Sequence, residues 1–246
     1  LGELPADRFP SLADINRLAE HHPARSGGDA PIYFADTAPV EGYELTIHET
    51  GAVPTRSSDW HDLFNALCWL AFPLTKAALN ARHVRAIRGA PEQLVRGAAR
   101  DAATLFDESG VIVASSDPTL GALMTEFQWK RLFWARRADV ATAMHFGVFG
   151  HALMEKAVRP YHGMTGHAII VPVAAIFHTL SIARRIALLD ASVAALFGDV
   201  TGAPPRFVTT RAFAPLPILG VPGWIAANAE PAYYDDAMQF RAGRAR

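Results

Sequence analysis

Apolar positions recur at helical spacing in some stretches of the chain and alternate or run together in others, and these changes of period mark out its elements. Ser11 and Asp14 stand three apart ahead of a helix-periodic run, a capping-box spacing that predicts a first helix ending at about Glu20. Residues 32–35 and 43–49 are rich in β-forming types and separated by a Pro/Gly turn, so they read as two strands, with 52–58 as a loop. Helical spacing fills 60–83, where Pro73 predicts either two helices or one kinked helix. A basic helical stretch, 91–100, leads to two short runs, 104–107 and 111–114. They flank Glu108, Ser109 and Gly110 and read as a hairpin.

Asp117 followed by Pro118 is a strong helix start, an N-cap residue with proline at the first helical position. Helices are expected to fill most of the chain from there to Val158, with Gly147 and Gly150 as a break or close-packing point. A loop over 159–166, a buried strand over 167–173 and an Ala-rich helix over 181–197 ending at Gly198 follow. Pro204, Pro205, Pro215, Pro217, Pro222 and Pro231 then predict an extended tail that wraps the body. The expected architecture is α+β: one helix-dominated domain over residues 1–246 with a small sheet and a Pro-rich C-terminal tail from 204 to 246.

Composition narrows the function. Half of the residues are apolar and 19% are charged, the balance of a globular protein. The 23 basic and 24 acidic residues leave a formal net charge of -1, which gives no general attraction to nucleic acid. The lone cysteine, Cys68, lies in an apolar helical run and reads as core, and one cysteine excludes a cysteine-rich zinc site. The apolar run 168–177 is far short of the roughly 18–20 residues a membrane span requires, and the first residues lack a signal-peptide pattern. A cytoplasmic location is the expectation. Motifs of P-loops, dinucleotide-binding folds, nucleophile elbows and H-E-x-x-H zincins are absent.

Three groups of polar residues carry candidate chemistry. On the 60–83 segment, His61, Asp62 and Asn65 converge on one flank, and Lys76, Asn80 and His83 fall at i, i+4 and i+7. These six are the candidate catalytic set, with His61 and Asp62 as acid/base groups or metal ligands and Lys76 holding an anion. The competing readings are a solvated stripe, or a structural network that satisfies buried carbonyls near the Pro73 kink. His151 and Glu155, four apart on a helix, together with His167 would make a two-histidine, one-carboxylate site for a divalent metal. Arg82, Arg85, Arg88, Arg96 and Arg100, with Lys130, Arg131, Arg136 and Arg137 near Trp129 and Trp134, could instead serve an anionic ligand or nucleic acid. A hydrolase acting on a small molecule, metal-assisted in one version, is the reading that uses the histidines and carboxylates without a cofactor fingerprint.

Short resemblances accompany these groups. His61-Asp62 is similar to the metal-binding pair of HD phosphohydrolases, a fold that needs further histidines and a distant aspartate. Phe106-Asp107-Glu108-Ser109-Gly110 resembles the first phosphate hairpin of actin-like and sugar kinases.

A longer resemblance runs through Thr55-Arg56-Ser57-Ser58-Asp59-Trp60-His61-Asp62-Leu63-Phe64-Asn65-Ala66-Leu67, Phe72-Pro73, Lys76, Leu79-Asn80 and His83. It continues through Gly150-His151-Ala152-Leu153, Glu155-Lys156, Gly163-Met164-Thr165-Gly166-His167-Ala168 and Gly220-Val221-Pro222-Gly223-Trp224. Together these segments resemble a bacterial family catalogued as domain of unknown function 3025. The resemblance implies a cytoplasmic bacterial protein with no assigned reaction and no catalytic residues to carry over.

Overall fold

The structure is a computed structural model that describes residues 4–5, 7–37, 42–89, 94–198, 207 and 209–243, without the side chains of 94–96. The expected helix start at Pro91, together with Pro204 and Pro205, lies outside the described residues. The architecture is the expected helix-dominated α+β. In chain order the main elements are α1 (Leu12–His21), β1 (Tyr33–Ala35), α2 (Tyr43–Thr50), β2 (Ala52–Pro54), α3 (Trp60–Ala71), α4 (Pro73–Arg88) and α5 (Leu94–Ser109). They continue with β3 (Gly110–Ser115), α6 (Pro118–Thr125), α7 (Arg137–Ala143), β4 (Met144–Val148), α8 (His151–Ala157), β5 (Thr165–Pro172), α9 (Ile182–Phe197) and β6 (Ala214–Pro217).

Two sheets form. β1 and β2 pair in parallel, and a four-stranded sheet has the order β4-β3-β5-β6, with β3 and β5 parallel and both edges antiparallel. Every residue of β3 is buried. Because side chains alternate along a strand, Val111 and Val113 enter one apolar cluster with Leu120, Phe133 and the tail residues Leu216, Ile218 and Tyr234. Ile112 and Ala114 enter a second with Leu79, Phe106, Phe149 and residues of α9. A third cluster joins α1, the small sheet and α3 through Ile15, Phe34, Val53, Leu63 and Trp69. The described tail thus contributes β6 and short 3₁₀ turns to the core.

Several local expectations change. Residues 43–49, read as a strand from their β-forming letters, form α2. The helix is closed by Gly51 at φ 75°, where a Cβ would lie 1.9 Å from the Pro31 carbonyl oxygen. The loop over 52–58 contains β2 instead. The hairpin over 104–114 is a helix running directly into a strand, because Ala102, Ala103 and Phe106 bury one helical face and Gly110 begins β3 without a turn. β4 interrupts the helices expected to reach Val158.

The break at Pro73 is real: α3 ends at Ala71, and Pro73 occupies the first turn of α4. No α4 side chain caps that turn. Instead the buried Asp190 of α9 accepts from the backbone N–H groups of Leu74 (3.0 Å) and Thr75 (2.7 Å). Asp190→Ala would leave two buried donors unpaired and should lower the unfolding free energy by about 2 kcal/mol. Asp190→Asn, which keeps one acceptor, should cost less. Urea denaturation of the two variants checks the order, and an Asp190→Ala midpoint equal to wild type would contradict the capping role.

Candidate metal centre

Three helices place the central side chains. Asp59 caps α3 by accepting from the Asp62 N–H (3.0 Å), which puts His61 in the first turn. One face of α3 then packs on α8, and the Cys68 thiol, raised to about 12 by burial, donates to the Phe149 carbonyl (3.0 Å). Gly150 fixes the start of α8. A Cβ there would meet Ser109 and the Gly110 nitrogen at 2.5 Å, so only glycine lets α8 begin against the α5–β3 junction. The next residue, His151, therefore lies beside Asp107 and Glu108 in the last turn of α5.

The Nε2 atoms of His61 and His151 approach to 3.1 Å, and Glu108 Oε1 is 3.7 Å from His151 Nε2. These three potential ligand atoms all lie within 4.8 Å of one another. Behind them stand two further carboxylates. His61 Nδ1 is 3.0 Å from Glu155 Oε2, and His151 Nδ1, buried and without a hydrogen-bond partner at normal distance, is 3.9 Å from Asp107 Oδ2. A carboxylate at Nδ1 holds the ring proton there, leaving the Nε2 lone pair free. Glu155 does this for His61, whereas Asp107, at 3.9 Å, acts on His151 Nδ1 only through its charge. The two Nε2 atoms stand at a separation that a proton or a cation bridges. Two nitrogens bound to one tetrahedral zinc at 2.0–2.1 Å would stand about 3.3 Å apart, so His61, Glu108 and His151 could hold a divalent metal with little movement. Burial, with Lys76 and His61 nearby, pushes His151 down to about 4, although Asp107 opposes the shift. Burial and the Asp107 charge raise Glu108.

Asp107 connects this group to a second one. Lys76 Nζ donates to both Asp107 oxygens (2.6 and 2.9 Å) and to Asn65 Oδ1 (2.8 Å). Asn65 in turn donates to the Tyr43 hydroxyl (2.6 Å). Lys76 is 4% exposed and its ammonium lies 5.3 Å from the Trp69 ring centroid. Burial works against the Asp107 charge, but Lys76, His151 and His83 outweigh it and hold the carboxyl below its usual range. Lys76, Asn80, His83, Asp107, Tyr43 and Glu44 line a small hollow of about 10 Å³, which holds no more than one water molecule.

The sequence-derived candidates thus fall into separate places. His61 joins His151. Asn65, Lys76, Asn80 and His83 are all buried, so the stripe on α4 is not solvated. Asn80 is a strut, donating to the Glu44 carbonyl and carboxylate and accepting from the Gly27 N–H. Asp62 is engaged by the backbone and guanidinium of Arg56. Glu155 faces His61, not His151. His167 lies on β5 with Nδ1 2.8 Å from Ser109 Oγ and is not among the three converging atoms. Lys76 is closed off by Asp107. Among the other basic residues, Arg88 pairs with Glu49, Lys130 with Asp235, and Arg136 with Asp117 and Asp139. Asp107 and Glu108 were missed as site residues because Glu-Ser-Gly reads as a turn. The helical burial spacing of Ala102, Ala103 and Phe106 was the signal that could have found them.

A family model described as "Protein of unknown function (DUF3025)" matches residues 33–244. No curated protein matches the chain, and no solved structure does.

The depressed His151 sets a pH dependence. In the metal-free protein the unfolded chain takes up a proton on this imidazole below about pH 6.5, and the folded chain only near pH 4. Stability should therefore fall as the pH drops through that window, by a few kcal/mol from this group. Urea unfolding across the window should show the loss in wild type and a smaller loss in His151→Phe, where the depressed His145, His167 and His178 remain; parallel profiles would contradict the assignment.

Proposed function

Since the chain belongs to the family described as "Protein of unknown function (DUF3025)", whose description names no reaction, we propose from the site's geometry that it is a metal-assisted hydrolase of a small-molecule substrate. The observation that carries this reading is the convergence of two imidazole Nε2 atoms and one carboxylate, with a carboxylate behind each imidazole. Two histidines and a glutamate are a ligand set that leaves a coordination position for water. His61, Glu108 and His151 would hold a divalent metal there, which would supply Lewis-acid chemistry and a bound water of pKa near about 7.

The chain's own residues divide the remaining work. Glu155 keeps His61 in the tautomer that presents Nε2, and the Asp107 charge, 3.9 Å from His151 Nδ1, favours a proton there as well. The side chains of His61 and Glu108 are 32% and 42% exposed, which leaves the ligand group open on one side for a substrate, while His151 closes the other. The hollow beside Lys76 is too small for a substrate and contributes support only. No helix among the described residues is long and apolar enough to cross a membrane.

Metal analysis of the protein purified without chelator, with an esterase and phosphatase screen, tests the reading. About one divalent metal per chain is expected. His151→Ala should lose most of that metal and reduce any hydrolysis by at least about a hundredfold. A wild-type protein that takes up no metal, with no activity sensitive to His61→Ala or His151→Ala, would remove it.

A further inference from the structure

A lysine at 4% exposure is costly to bury, and Lys76 makes no contact with the three converging atoms themselves. Its position has one evident consequence. It grips both oxygens of Asp107, while Asn65, fixed by the Tyr43 hydroxyl, takes its remaining hydrogen-bonding capacity. Asp107 is thereby held with Oδ2 3.9 Å from His151 Nδ1, a charge contact longer than a hydrogen bond. These residues come from four helices: Tyr43 from α2, Asn65 from α3, Lys76 from α4 and Asp107 from α5. His151 begins α8, directly after Gly150.

We infer that Lys76 is a positioning residue of the metal centre: by clamping Asp107, it fixes the ring of His151 so that Nε2 faces His61 Nε2 and Glu108, an inference that rests on the metal reading above. The Lys76–Asp107 pair is then the outer layer of the site, its carboxylate facing His151 Nδ1 at 3.9 Å. Asn80 supplies the contrast. It lies one helical turn beyond Lys76 on the same face of α4 and lines the same hollow, but its bonds run to Glu44 and Gly27, away from Asp107.

The test is a zinc titration of metal-free full-length protein against a chromophoric chelator, with thermal unfolding of every variant. Lys76→Met should weaken zinc binding by about 10–100-fold, and Lys76→Arg should restore part of the loss. Asn80→Ala should lower the melting temperature yet leave zinc affinity within about twofold of wild type. Removing one partner of a buried pair can prevent folding. The double variant Lys76→Met with Asp107→Leu removes both charges together, and its zinc affinity should fall by the same 10–100-fold. Wild-type zinc binding that is unchanged in Lys76→Met or in the double variant overturns this inference and leaves the metal reading standing, as does a loss in Asn80→Ala as large as in Lys76→Met. A wild-type protein that binds no zinc overturns both.

Discussion

The buried ion pair between Lys76 and Asp107 is the constraint around which the polar interior is arranged. Two opposite charges taken out of water gain little net stability over a well-packed apolar pair, yet removing either one alone costs about 3–5 kcal/mol. A pair of this kind therefore acts mainly on geometry. Here it ties α4 to the last turn of α5, and Asn65 adds α3 and, through Tyr43, α2. The lysine–aspartate contact, with Asn65 as its third member, holds Asp107 on the side of α5 that faces His151.

What lies beyond Asp107 depends on two backbone features. The α5–β3 junction passes from helix to a fully buried strand without a loop, so Asp107 and Glu108 are held by secondary structure on both sides. Gly150 allows α8 to start in contact with that junction, and both Phe149 and Gly150 donate their N–H groups to the Gly110 carbonyl (3.0 and 2.9 Å). The two histidines thus come from α3 and α8, the glutamate comes from α5, and each is anchored within a turn of a helix end. Sites on regular elements hold their geometry better than sites on loops, and this arrangement is consistent with a preorganised ligand group.

Much of the frame was legible in the sequence because its signals are local. The capping box at Ser11, the proline break at 73, the Asp117-Pro118 start and the Ser181-to-Gly198 helix each rest on side chains that act on their own backbone. The errors came where tertiary context decides. Residues 43–49 carry β-forming letters but are helical, bounded by Gly42 and Gly51 and packed on α4. Asp107 to Gly110 spell a turn but sit where a helix becomes a strand. Those errors hid Tyr43, Asp107 and Glu108, whose parts depend on contacts 22 to 44 residues apart in the chain. The i, i+4, i+7 spacing of Lys76, Asn80 and His83 did announce a shared face. It could not say that the face is buried, because only the acid from α5 makes a lysine tolerable there.

The central claim is that His61 and His151 are joined through a metal ion. A crystal structure of protein loaded with zinc, with diffraction recorded on both sides of the zinc absorption edge, tests it most directly. The account predicts one anomalous peak about 2.0–2.1 Å from both Nε2 atoms, with Glu108 as the carboxylate ligand. A zinc-soaked crystal with no peak between the two rings, or with its zinc bound elsewhere while the imidazoles stay paired, would contradict it.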